Sequence, residues 1–138
     1  MTDHEAALRQ EVGLLRARES RRIFDATVGV GRLGGDVGDR EDRQGFVVRA
    51  QDLPAIDGSL RTDVMSALLE QTEAWPAAAW VARAGCPTPH DVDLQWLAAT
   101  MAAFGAHGRA LEGFYAITRA GWLDVRTGES RTWKRLRL

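Results

Sequence analysis

Residues 77–104, AAAWVARAGCPTPHDVDLQWLAATMAAF, contain an apolar strand-like run and the clearest helix start in the chain. The run Ala77–Ala82 predicts a strand, because it is short, apolar and bounded by turn residues. Thr88, Pro89 and Asp91 then predict a helix start, with Thr88 as N-cap, Pro89 in the first helical position and Asp91 completing a capping box. The stretch therefore predicts a strand followed by a helix, as in α/β folds.

The helix that starts in this stretch has a predicted apolar face. Its members recur at helical spacing and are expected to lie against the sheet: Leu94, Leu97, Ala98, Met101 and Phe104. Gly108 is placed to end the helix, as glycine commonly does just after the last turn. The pattern thus assigns one side of this helix to the core.

Further strand-like segments lie on both sides of this unit. An apolar run at 46–50 precedes a helix that Ser59 can cap. Residues 114–118 form a third apolar run, and a turn at 126–129 leads to a final strand at 131–136. The order predicts an α/β fold with a small β-α-β-α-β-β sheet of three parallel strands plus an antiparallel edge strand, flanked by helices.

An amphipathic helix is expected before this sheet. Residues 2–5 predict a capping box at its start, and the helix is expected to run to about Phe24. Its apolar stripe is narrow, so it packs either on the sheet or on another subunit. Residues 26–45 are rich in glycine and aspartate and predict a flexible loop. The predicted organisation is an N-terminal helical arm at 1–25, this loop, and an α/β domain at 46–138.

The composition is that of an ordinary globular chain. Of 138 residues, 45% are hydrophobic and 27% are charged, and the formal net charge is −1, which matches a single folded domain. Cys86 is the only cysteine, so an internal disulfide framework is excluded and a cytoplasmic location is favoured. The beginning of the chain is charged throughout and no apolar run is long enough to span a bilayer, so neither a signal peptide nor a membrane partner is predicted.

The main candidate for a binding site is a set of three arginines. Arg49, Arg83 and Arg119 each follow a strand-like run and each precede an alanine. Ligands of open α/β sheets bind at the carboxyl ends of parallel strands, so the three guanidinium groups are expected to hold one phosphate or carboxylate there. The alternative is that each arginine merely extends over apolar neighbours at a strand end.

Other motifs carry weaker signals for chemistry. Residues 29–34 match G-x-G-x-x-G, but no helix is predicted after them, so a dinucleotide-binding turn is not expected. Cys86 and His90 are spaced for a nucleophile with its base, although a helix start explains the same segment. A structural zinc site needs four ligands, usually in two pairs, and the other histidines, His4 and His107, do not form such a pair. We therefore expect neither a cofactor nor a metal.

The basic tail offers a different kind of surface. Cations surround an aromatic ring there, as on surfaces that bind RNA or DNA, and the candidate residues are Arg131, Trp133, Lys134, Arg135 and Arg137. The alternative, which the near-zero net charge favours, is an edge strand whose charges protect it from aggregation.

The absence of a recognisable catalytic motif favours a non-catalytic role. We interpret the chain as a small cytoplasmic binding or assembly module of bacterial type that contacts itself or a larger protein. The main alternative is an enzyme or sensor that binds a phosphorylated or carboxylate small molecule at the strand ends. Nucleic-acid binding through the tail ranks third.

Overall fold

The computed structural model describes residues 2–34, 43–74 and 76–134, which form a central sheet with helices on both faces. In chain order the elements are α1 (Asp3–Arg18), β1 (Ala26–Gly31), β2 (Arg43–Val48), a 3-10 helix (Ala50–Ala55), α2 (Gly58–Glu70), β3 (Ala77–Ala82), α3 (Asp91–Ala106), β4 (Leu111–Ile117), β5 (Gly121–Asp124) and β6 (Ser130–Thr132). The predicted α/β class with an N-terminal helix is confirmed.

The six strands of the described residues lie in the order β2-β1-β3-β4-β5-β6. Of the strand pairs in this sheet, β3 and β4 are parallel, and the other four pairs are antiparallel. The prediction of three parallel strands plus one antiparallel edge strand is therefore wrong. The reason is β1, which lies between β2 and β3 and is antiparallel to both.

β1 lies within residues 26–45, which we predicted as a flexible loop. The glycines of β1 resemble loop composition, so the strand is not recognisable from the sequence. The packing of the sheet nevertheless requires one of these glycines. A Cβ atom at Gly29 would lie 2.3 Å from Cε2 of Trp80, its pairing partner on β3. Glycine inside a strand often marks such a close approach. Residues 35–42 of the same predicted loop lie outside the described residues.

Apolar side chains cover both faces of the sheet. On one face, α2 and α3 pack over strand residues such as Val81 and Phe114. On the other face, α1 buries Leu8 and Leu15 against a second apolar cluster. The narrow stripe of the N-terminal helix therefore packs on the sheet of its own chain.

Polar contacts fix α1 to the sheet as well. Arg43 of β2 forms an ion pair with the buried Glu11, in which Arg43 Nη2 donates to Glu11 Oε2 at 3.0 Å. The backbone N–H of Gly34 donates to the same carboxylate at 2.9 Å. α1 ends at Arg18, before the predicted end near Phe24. One buried carboxylate thus joins the helix to the segments on both sides of residues 35–42.

The carboxyl-terminal strands form two hairpins. β5, which we did not predict, pairs with both β4 and β6. Only glycine fits at the start of β5, because a Cβ atom at Gly121 would lie 1.8 Å from the carbonyl oxygen of Arg131. The final strand predicted at 131–136 corresponds to the short β6, and residues 135–138 lie outside the described residues.

Candidate functional site

Three strands end at the same edge of the sheet. β2 and β3 are both antiparallel to β1, so they run in one direction, and β4 is parallel to β3. Arg49, Arg83 and Arg119 therefore follow strand ends at a common edge, although β1 separates β2 from β3. The surroundings of their side chains differ.

Arg83 is committed to contacts within the protein. Its side chain is 4% exposed and forms an ion pair with the fully buried Asp93 of α3. Nε and Nη2 donate to the two carboxylate oxygens at 2.6 and 2.7 Å. The other N–H groups donate to the carbonyls of Ala84, Cys86 and Thr88, each at 3.0 Å. Because a guanidinium group has five donors, Arg83 has none left for a ligand.

Sequence reasoning missed Asp93. We predicted a helix capped by Thr88 with Asp91 in the capping box, whereas α3 begins at Asp91 and its N-cap is His90. Asp93 is the third residue of α3, and its Oδ2 accepts from the backbone N–H of His90 at 3.0 Å. One carboxylate therefore caps α3 and neutralises Arg83. The sequence contained a signal for this role, because Asp91-Val92-Asp93 offers two aspartates at the helix start. If the helix begins at Asp91 rather than at Pro89, the second aspartate faces the interior of the protein.

A pocket of about 210 Å³ lies at the carboxyl ends of the parallel pair β3 and β4. It is lined by Arg22, Phe24, Ala84, Gly85, Arg119 and Ala120. Phe24 also packs against the apolar cluster beneath α1, so the pocket reaches the α1 side of the sheet, while Gly85 lies beside His90, the N-cap of α3. This is the position at which open α/β sheets bind ligands.

Arg119 lies in a tight turn between β4 and β5. The buried Thr118 holds this turn, since its N–H and its hydroxyl donate to the carbonyl of Gly121 at 2.8 and 3.1 Å. The same hydroxyl accepts from the N–H groups of Ala120 and Gly121. Arg16 of α1 donates from Nε to the carbonyl of Arg119. The backbone that carries Arg119 is therefore held on both sides.

The residues that line the pocket include two arginines and no acidic residue. Nε of Arg119 is buried and has no hydrogen-bond partner among the described residues. Arg22 is exposed, in the segment between α1 and β1, and Arg49 is exposed but does not line the pocket. The structure thus places Arg119 with Arg22 rather than with Arg83 or Arg49. Sequence reasoning missed Arg22 because it follows no strand.

The basic tail is only partly described. The described part holds Arg131, Trp133 and Lys134, whereas Arg135 and Arg137 lie outside it. The guanidinium carbons of Arg9 and Arg131 lie 5.7 and 5.8 Å from the ring centre of Trp133, within cation–π distance. Trp133 is half-buried, and its carbonyl accepts from Arg16 at 3.1 Å. Two cations of the same chain thus already contact this ring, and nucleic-acid binding stays a prediction.

The buried side of α3 agrees only in part with the predicted one, which Phe104 and Leu97 share. Its buried residues are Asp93, Trp96, Ala99, Thr100, Ala103 and Phe104. Leu94 and Met101, which we expected in the core, are 53% and 55% exposed. Residues 94–106 contain no charge, so the helix is apolar on all sides and its pattern does not single out one face. The ion pair of Asp93 with Arg83 sets the rotation instead.

The outward side of α3 carries a regular apolar stripe. Leu94, Ala98, Met101 and Gly105 are all exposed, and their spacing of four, three and four residues places them along one side of the helix. A Cβ atom at Gly105 would have no heavy atom within 4 Å. These four residues, called the α3 stripe below, form an open apolar surface.

The part of the chain that the structure describes gives no sign of a metal site, since no three His, Cys, Asp or Glu side chains there are grouped to hold an ion. None of the helices in this part combines the length and the apolar character that crossing a bilayer demands. Comparisons of the chain with protein-family models, curated proteins and solved structures found no match. The pocket and the α3 stripe are therefore the features from which a function is proposed.

Proposed function

We propose that this protein is a non-catalytic assembly module that pairs with a second copy of itself through the α3 stripe. The observation that carries the proposal is the exposure of Leu94 and Met101, each more than half accessible on a helix side without charge. Contiguous apolar surface of this kind typically marks an interaction site. A cytoplasmic location is part of the proposal, and the exposed thiol of the single Cys86 suits a reducing compartment.

The spacing of the stripe suits an antiparallel pair of identical helices. The intervals of four, three and four residues read the same from either end, so a reversed helix brings Leu94 opposite Gly105 of the second copy. It also brings Met101 opposite Ala98 of the second copy. Each large side chain thereby meets a small one, and the open space above Gly105 receives the leucine. Such a self-complementary surface is what a twofold interface requires.

Polar residues stand at both ends of α3, beyond the stripe. Asp91 is exposed in the first turn, and His107 follows the last turn as C-cap. An antiparallel pair brings these two ends level with each other, twice by symmetry. Within one chain, His107 Nε2 lies 3.7 Å from a carboxylate oxygen of Glu70. These polar residues lie at the rim of the interface, where charges contribute more to orientation than to affinity.

The size of the surface indicates a weak dimer. α3 has 16 residues, which corresponds to a length of about 24 Å. Two such helices side by side bury less than the roughly 1,200–2,000 Å² of a standard stable interface. We therefore expect a roughly micromolar dissociation constant, with Leu94 and Met101 supplying most of the affinity.

Sedimentation velocity over a concentration series that ends about tenfold above the expected micromolar dissociation constant tests this proposal. The wild-type chain is expected to shift from monomer to dimer, whereas Leu94→Lys and Met101→Lys stay monomeric. Each substitution acts twice in a symmetric pair, so the loss is about hundredfold in dissociation constant or more. Leu53→Lys is the matched control, because Leu53 is 54% exposed but lies in the 3-10 helix. A monomeric wild type, or dimerisation that survives both α3 substitutions, would refute the proposal.

A further inference from the structure

We propose that the pocket between Arg22 and Arg119 binds the phosphate group of a small organic phosphate monoester. Two arginines line one cavity of about 210 Å³, in which no lining residue is acidic. Two cations that face a shared space repel each other, and an anion between them removes that repulsion. Guanidinium groups suit phosphate because they donate several parallel hydrogen bonds to its oxygens.

The strongest support comes from Nε of Arg119. This atom is buried, yet it has no hydrogen-bond partner among the described residues. A buried donor without an acceptor is unfavourable, and in native proteins it calls for a specific explanation. Because Nε itself is inaccessible, a ligand oxygen becomes its acceptor only when the Arg119 side chain turns into the pocket on binding. The Thr118 contacts and the Arg16 bond to the Arg119 carbonyl keep the backbone of this turn in place before a ligand arrives.

The remaining walls of the pocket favour an organic phosphate over the inorganic ion. Phe24 contributes an aromatic side chain, and Ala84 and Ala120 contribute methyl groups. Gly85 lines the cavity with backbone alone, which leaves room for a ligand beside the arginines. Binding sites commonly combine apolar walls with a few polar groups that fix the orientation of the ligand. The geometry therefore assigns the phosphate to the arginines and the organic group to the wall around Phe24.

The position in the fold agrees with this assignment. The pocket is formed by residues that follow β3 and β4, the parallel pair, together with the segment before β1. None of the residues that line the pocket belongs to the α3 stripe. Phosphate binding is therefore independent of dimerisation through α3, and the two proposals fail or succeed separately.

Isothermal titration calorimetry with phenyl phosphate, inorganic phosphate and phenol tests the site on the full chain, in chloride buffer at matched ionic strength. Phenyl phosphate is expected to bind more tightly than inorganic phosphate, and phenol is expected not to bind. Arg119→Gln and Arg22→Gln should each weaken phenyl phosphate about tenfold or more, because each removes charge-assisted hydrogen bonds. Arg21→Gln and Arg49→Gln are the matched controls, since both arginines are exposed and neither lines the pocket.

Several results would overturn the proposal. Failure of the wild-type chain to bind phenyl phosphate would remove the site altogether. Equal losses in the Arg21→Gln control would show a diffuse electrostatic effect in place of a site. Inorganic phosphate binding as tightly as phenyl phosphate would refute the role of the apolar wall. Circular dichroism would reveal whether Arg119→Gln lowers the stability of the fold around the β4–β5 turn. In that case Arg22→Gln still tests the site, because Arg22 is exposed and its replacement does not disturb the fold.

Discussion

Replacing Asp93 with asparagine is expected to destabilise the protein strongly. The substitution preserves the size of the side chain but removes the charge that neutralises Arg83, which is itself buried. Removing one partner of a buried ion pair costs about 3–5 kcal/mol, because the other charge is left uncompensated away from water. Asp93→Asn should fall in this range, since both carboxylate oxygens bind the guanidinium group and one of them also caps α3.

Urea unfolding followed by circular dichroism measures this loss through linear extrapolation to water. With an unfolding entropy of about 2.1 cal/mol/K per residue, the same loss corresponds to a decrease of about 10–17 °C in melting temperature for 138 residues. Asp63→Asn on the exposed side of α2 is the matched control. Its free energy of unfolding should stay within about 0.5 kcal/mol of the wild-type value.

A double variant separates the charge effect from packing. Arg83→Met combined with Asp93→Leu removes both charges and replaces them with apolar side chains, so it should be more stable than Asp93→Asn alone. A loss below about 1 kcal/mol for Asp93→Asn would show that the pair behaves like an exposed salt bridge. Either that result or a double variant less stable than the single one would refute the reasoning.

Three further predictions concern the sheet and the helix on its other face. Burial, followed by the charge of Asp124, raises the pKa of Tyr115 to about 12. Since the folded value lies above the unfolded value of about 10, this residue contributes stability that is complete below pH 10 and is lost as the pH rises through 12. Tyr115 is the only tyrosine, so tyrosinate absorbance reports it directly, and a midpoint near 10 in the folded chain would contradict the prediction. Gly29→Ala should lower the free energy of unfolding by about 1–3 kcal/mol, because the new Cβ overlaps the ring of Trp80. Urea unfolding measures this loss, and an unchanged urea midpoint would show that the ring moves away at no cost. Leu8→Ala should destabilise by about 2–5 kcal/mol, because Leu8 is fully buried beneath α1; wild-type stability in the same assay would mean that α1 is a dispensable arm.

Sequence patterns predicted the elements whose local signals are strong. The predicted strand at 77–82 coincides with β3, and the helix after it is present but begins at Asp91 rather than at the predicted Pro89. β1 was missed because its glycines resemble loop composition, and the need for Gly29 becomes visible only when Trp80 lies beside it. The prediction of three parallel strands was wrong for the same reason. β1, which was not recognised as a strand, lies between β2 and β3.

The candidate sites were predictable only in part. Arg119 follows a strand and could be proposed from sequence, whereas Arg22 reaches the pocket from an irregular segment that has no pattern. In the sequence, Arg83 and Arg119 have equivalent positions after a strand. Only the fold shows that Arg83 forms an ion pair with Asp93. The exposure of Leu94 could not be predicted, because apolar residues occur all around α3. Tertiary contacts rather than periodicity decide which side of this helix faces the solvent.

Cysteine cross-linking tests the pairing of α3 most directly. A chain carrying Cys86→Ser, Leu94→Cys and Gly105→Cys is oxidised at a concentration where this variant itself sediments as a dimer under reducing conditions. The two new positions lie about 16 Å apart within one helix, and a disulfide needs Cα atoms closer than about 7 Å, so any bond between them joins two copies. The antiparallel account predicts a covalent dimer in which peptide mapping finds position 94 bonded to position 105. The antiparallel account would be contradicted by disulfides found only between two copies of position 94. It would also be contradicted if cross-linking were no faster than in a control chain with Cys86→Ser and Leu53→Cys.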